Sequence, residues 1–302
     1  MRRVCLVLLA LLAFFGTANA QVRPRAVASF SILADMLGNI AGEAFDVVSI
    51  VGPEADAHAF QPTPSDARKL VAAKILVVNG LGFEGWIERL AKAAPFGGRQ
   101  IVASKGVQPL TMQAEDEKRS AASGRAVVDP HCWQDLACGR AYVANIAEGL
   151  AAADPGQAEI YRSRAAAYTQ RLAGLDRWVR DEIARVPAEK RKVITGHDAF
   201  GYFARAYGVA FHAPVGISTE DEPSAKSVAA LIAQVRRDKI RAIFMENMTN
   251  PALVQQVARD SGGVIGPTLY VDALSKPDGP APTYEAMFRH NVTALVAGML
   301  RN

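Results

Sequence analysis

Three of the five histidines in this 302-residue chain share a setting. His58 lies in "DAHAF", His131 in "DPHCW" and His197 in "TGHDAF". Each falls just beyond a strand-like run or in a stretch rich in turn residues. A fourth group, Asp272, directly follows the apolar run "TLYV". Three imidazoles and one carboxylate suit zinc, which takes nitrogen and oxygen donors at about 2.0–2.2 Å in a tetrahedron. Four protein donors leave no position for a reactive water, so such a set binds without catalysing. The candidates stand roughly 70 residues apart, which excludes a local finger or a helical HExxH pair. Spacing alone leaves open one shared site or three unrelated loop histidines. The remaining two differ in setting: His212, inside "VAFHAPV", reads as a satisfied core residue, and His290 as an exposed residue of the terminal helix.

If the four act together, something must bring them to one place. From Ala26 onward, apolar runs of four to six residues alternate with helix-like stretches, the pattern of βαβ units and a parallel sheet. The first half offers the strands "AVASF", "VVSIV", "ILVVN" and "QIVAS", with helices over 65–73 and 86–93. The second offers "KVITG", "VAFHAPV", "AIFMEN" and "TLYVD", with helices over 200–207, 224–237 and 251–261. Between the halves, Tyr168, Leu172, Leu175, Val179, Ile183 and Val186 recur at spacings of three and four and predict one long helix over 154–187. The expected fold is therefore α/β, with two βα lobes (21–153 and 188–302), each built on a four-stranded, mainly parallel sheet, joined by that helix. In open α/β sheets ligands collect beyond the carboxyl ends of the strands, where all four candidates stand.

Residues 1–20 read as a cleaved signal peptide: Arg2 and Arg3, the apolar run "VCLVLLALLAFF", then Ala18-Asn19-Ala20. Without Arg2 and Arg3 the formal charge falls from +4 to +2, too small to nominate nucleic acid or an anionic membrane as partner. Cys5 leaves with the leader, and Cys132 and Cys138 then have each other as partners in an oxidising compartment, where we expect a disulfide. "QAEDEKRSAASGR", residues 113–125, reads as a charged surface loop without apolar period. A zinc hydrolase is a competing reading, with Glu246, Glu220 or Glu222 as its general base; it needs an open coordination position that four protein donors do not leave. A third reading is a surface adhesin or structural protein.

Taken in order, "DAHAFQPTPSD", "DPHCWQD", "TGHDAFGYFARAYG", "STEDEPSAKSVAALI" and "TLYVDALS" resemble the metal-specific substrate-binding proteins of bacterial zinc and manganese ABC importers, over nearly the whole mature chain. The resemblance implies two lobes joined by a long helix, a metal held in the cleft, and delivery to a membrane permease. It places the ligands on His58, His131, His197 and Asp272. The chain is most similar to exported zinc binders that work beside a periplasmic metallochaperone. In the manganese members a carboxylate occupies the position of His197, so the third imidazole here implies zinc, with Asp198 or a backbone carbonyl orienting the ring. One departure is that residues 113–125 contain no histidine, where many zinc members carry a histidine-rich loop. The expectation is a monomeric periplasmic protein, not an enzyme, carrying Zn2+ as its transported ligand; the alternative cargo is manganese or another divalent metal.

Overall fold

Strands buried on both faces must be apolar throughout and must be joined by crossovers long enough to hold a helix. The central strands of the first sheet follow this rule in the computed structural model, which describes residues 23–111 and 127–302. Its strands are β1 (Arg25–Phe30), β2 (Asp46–Val51), β3 (Ala73–Val78) and β4 (Arg99–Val102). They lie in the order β2-β1-β3-β4, all parallel. The crossovers carry α1 (Ser31–Ala41), α2 (Pro64–Val71) and α3 (Ile87–Ala93). Helix α2 begins at Pro64 and is capped by Thr63, whose hydroxyl and backbone exchange hydrogen bonds with Asp66. A short antiparallel pair, β5 (Leu110–Thr111) and β6 (Val128–Asp129), follows, and then α4 (Leu136–Ala153). The expected signal peptide and the 113–125 segment lie outside the described residues.

Helix α5 (Ala158–Ala184) contains 27 residues, about 40 Å at 1.5 Å per residue. Tyr168, Leu172, Leu175, Val179 and Ile183 form its buried stripe, as their spacing predicts. It packs on α4, on α1 and on the last helix of the chain. The second sheet repeats the winding of the first: β7 (Lys192–Ile194), β8 (Ala210–His212), β9 (Ala242–Ile243) and β10 (Val264–Ile265) lie in the order β10-β9-β7-β8, all parallel. Around them stand α6 (Gly201–Tyr207), α7 (Ala225–Arg237), α8 (Ala252–Ser261) and α9 (Tyr284–Met299). One apolar core runs from the first sheet through α5 to α9 and reaches Val193 and Phe244 of the second half. A smaller core lies under α7 and α8. The halves are thus joined by shared interior as well as by the helix. Among the described residues no helix is long and apolar enough to cross a membrane.

The structure departs from the expected strands at "TLYVD". The fourth strand of the second sheet is Val264–Ile265, and Leu269 makes only an isolated bridge to Glu246. Side chains satisfy the backbone that follows. Asn291 accepts from the Tyr270 N–H (2.9 Å) and donates to the Tyr270 carbonyl (2.6 Å). The Val271 carbonyl accepts from the Trp133 indole (3.0 Å) and the Gln134 amide (2.9 Å). With its hydrogen bonds taken, the segment has no need of a ladder. His212 ends β8 half-buried, 3.4 Å from the Gln234 amide, and is not a core residue. His290 is likewise half-buried, bonded to the Thr268 carbonyl at 2.8 Å.

Candidate metal centre

Four loops deliver the four side chains. His58 follows β2, in a turn whose backbone N–H donates to Asp56 Oδ1 at 2.8 Å. His131 follows β6, and its own N–H donates to Asp129 Oδ1 at 2.9 Å. His197 leaves β7 beside Val215, with which it forms a parallel bridge. Asp272 stands one residue beyond the carbonyl gripped by Trp133 and Gln134. One donor atom from each of His58, His131, His197 and Asp272 lies within 4.8 Å of all the others.

The Nε2 atoms of His58 and His131 are 3.1 Å apart, and Asp272 Oδ2 lies 3.4 Å from His58 Nε2 and 3.1 Å from His197 Nε2. Asp272 Oδ1 is 3.8 Å from His131 Nε2. A tetrahedron with arms of about 2.0–2.1 Å has edges of about 3.3–3.4 Å, so the spacing matches a shared ion. His197 Nε2 and both Asp272 oxygens are buried without a hydrogen-bond partner. Orphaned buried polar atoms are rare and call for an explanation; a common ligand supplies one.

Two carboxylates orient the rings. Asp129 Oδ1 lies 2.8 Å from His131 Nδ1, and Glu246 Oε2 lies 2.7 Å from His197 Nδ1. A carboxylate accepts, so each Nδ1 carries a hydrogen and each Nε2 is left as the atom that faces the site. Glu246 is fixed in turn, since its Oε1 accepts from the N–H groups of Gly196 (2.8 Å) and His197 (3.1 Å). The group that orients the His197 ring is therefore Glu246. Bound to that ring and buried, Glu246 is no free base for hydrolysis. We predict that Glu246→Gln and Asp129→Asn each weaken metal binding by about 10–100-fold, the usual cost of losing such a partner; calorimetric titration checks this, and wild-type affinity in both variants would contradict the assigned roles.

Aromatic rings wall the site. Phe83 meets His58 edge-on with ring centroids 4.7 Å apart and packs on Trp133 at 4.8 Å; Trp133 reaches His131 at 5.2 Å. Excluding water this way strengthens the electrostatics inside. Burial lowers the pKa of His58. For His197 burial also opposes charge, but the Glu246 and Asp272 carboxylates outweigh it and hold its pKa well above the ordinary value. Burial alone would raise the Asp272 pKa; His197 and His131 instead hold it far below the carboxylate range. A disulfide joins Cys132 to Cys138, with Cα atoms 5.7 Å apart, and closes the turn directly after His131.

Comparison with known proteins agrees with this geometry. Residues 26–298 match the family described as "ZnuA: Zinc-uptake complex component A periplasmic". The chain belongs to this family. It is 32% identical over 284 residues to the manganese-binding lipoprotein MntA of Halalkalibacterium halodurans, covering 94% of this chain and 91% of that protein. It is 32% identical over 274 residues to the iron-binding protein YfeA of Yersinia pestis, covering 91% and 86%. Among solved structures, the periplasmic zinc-binding protein TroA of Treponema pallidum superposes with a TM-score of 0.84 at 30% identity, covering 92% of this chain and 99% of that one. The family comprises metal-binding substrate proteins of ABC transport that act outside the cytoplasm and are not enzymes.

All four residues singled out in the sequence come together. Asp129 is not among the residues the sequence nominates, although "DPH" places a carboxylate two residues before a histidine, a local turn signal. Glu246 was weighed only as a base, because its pairing with His197 spans 49 residues.

Proposed function

We propose that the protein is a periplasmic zinc carrier that holds Zn2+ on His58, His131, His197 and Asp272 and releases it to the membrane permease of an ABC importer. Supporting this above all is the convergence of three imidazole nitrogens and one carboxylate with partnerless, buried donor atoms. Three neutral nitrogens and one anionic oxygen leave the bound ion with a formal +1 charge, which a compact zinc tetrahedron tolerates. Manganese favours oxygen-rich, larger coordination shells and lies below zinc in affinity for a given nitrogen site. In this reading residues 1–20 are removed on export, residues 21–153 and 188–302 form the two lobes, the carrier is a monomer, and a periplasmic metallochaperone supplies the ion.

A manganese or iron carrier is the second reading, favoured by the names of MntA and YfeA. Competitive titration of the metal-stripped mature chain separates the two. We expect zinc to displace manganese at equal concentrations, with one ion per chain; equal or tighter manganese binding would reverse the assignment.

A further inference from the structure

The turn that carries His58 and the segment that backs His197 are tied together by one carboxylate. Asp56 Oδ1 accepts from the backbone N–H groups of His58 (2.8 Å) and Ala59 (3.3 Å). Its other oxygen, Oδ2, accepts from the hydroxyl of Thr219 at 2.7 Å, a contact spanning 163 residues. Thr219 belongs to the segment lying against His197: Val215 bridges His197, and the Gly216 carbonyl accepts from the Asp198 N–H at 3.1 Å. A displacement of residues 215–219 therefore pulls on His197, whereas a displacement of Asp56 pulls on His58.

Beneath this bond lies a cavity of about 260 Å³, with Asp56, His197, Thr219 and Thr249 in its wall. It gives His197 and its backing segment room to move away from the other donors. Asp272 is held from more than one side. Its loop is held to the first half through Trp133 and Gln134 on the Val271 carbonyl, Ser31 Oγ accepting from the Leu274 N–H (3.0 Å), and the Glu54 N–H donating to the Leu274 carbonyl (3.0 Å). Asp272 is thus fastened to the body that carries His58 and His131, while Asn247 of the second half also holds its loop, donating to the Ala273 carbonyl (3.2 Å) and accepting from the Val271 N–H (3.4 Å).

We propose that Asp56 and Thr219 form a latch across the mouth of the site that sets how fast the ion leaves: while it holds, the loops of His58 and His197 stay in register, and when it opens, His197 withdraws into the cavity. Asp56 is a positioning residue for His58, and Thr219 for His197. The inference rests on the metal-carrier reading above. It predicts an effect on dissociation more than on association, because the latch stabilises the assembled site against opening.

Thr219→Val keeps the shape and removes the hydroxyl. Zinc release from the loaded mature protein, followed by stopped-flow transfer to a chromophoric chelator in excess, is expected to quicken about tenfold, the effect of losing a hydrogen bond to a charged acceptor. Thr219→Ser should restore the parent rate. In the metal-free protein, amide hydrogen exchange over 215–221 should rise in the valine variant and return with serine. Thr219→Ala carries the same test should the valine variant not fold. Unchanged release in the valine or alanine variant overturns the latch, as does equal quickening in valine and serine variants, which would assign the effect to packing. If the parent protein binds no divalent ion at all, the carrier reading falls instead.

Discussion

Replacing His197 with glutamate is expected to lower zinc affinity by at most about 10²–10³-fold, the share of one donor in a four-ligand structural zinc site, because the carboxylate still offers an oxygen. It should also narrow the gap to manganese, because the set becomes two nitrogens and two carboxylates. The structure adds a cost the donor count does not show. Glu246 lies 2.7 Å from the His197 ring and Asp272 lies 3.1 Å from it, all three side chains fully buried. A glutamate at 197 would place three carboxylates together away from water, where like charges cannot all remain ionised. The single variant should therefore lose thermal stability when metal-free. The double variant His197→Glu with Glu246→Gln removes one of those charges and is expected to recover stability while keeping the altered preference. Competitive titration and thermal unfolding of both variants check this. Retention of parental zinc affinity in His197→Glu would remove His197 from the donor set.

Zinc binding should also be strongly pH-dependent, in a window set by two histidines that differ. A protonated imidazole cannot ligate, so protons compete with the ion and affinity must fall as pH falls. His197, whose pKa Glu246 and Asp272 hold well above the ordinary value, is expected to keep its extra proton in the metal-free protein at neutral pH. His58, lowered by burial, is then already neutral. Affinity is thus expected to keep climbing above pH 7, by about tenfold per pH unit for each proton displaced, and not to level off just above the pKa of a free histidine. Calorimetry in buffers of different protonation enthalpy counts these protons directly. About one proton released per zinc at pH 7 is the expected result, falling in the Glu246→Gln variant. No proton release at pH 7 would show that His197 is neutral in the empty site.

The donors could be read from the chain because each sits in a short turn next to an apolar run, and turn chemistry is local. "TGHDAF" and "DPHCW" announce themselves without any partner. Helix α5 was equally plain, since one stripe of it is buried and the rest is not. Helix α4 is harder to see because alanines (Ala137, Ala144 and Ala152) stand on its exposed side, opposite the buried Leu136, Tyr142, Val143, Ile146, Ala147 and Leu150, which blurs a one-sided period. "TLYVD" misled for a related reason. Its run of large apolar residues suits a strand, yet Asn291, Trp133 and Gln134 take its backbone bonds, and no local pattern announces partners 21, 138 and 137 residues away. Glu246 and the Asp56–Thr219 pair are hidden for the same reason: each contact arises from packing of distant segments.

The hold of Trp133 and Gln134 on the Val271 carbonyl also orders events in the life of each molecule. Those contacts span 138 and 137 residues, and Asp272 follows His197, the nearest of the other donors in sequence, by 75 residues. A nascent or truncated chain lacking that stretch has three donors at most, and the hooks that hold the fourth grip nothing. Assembly of the four donors therefore reports that this late loop has docked on the first half.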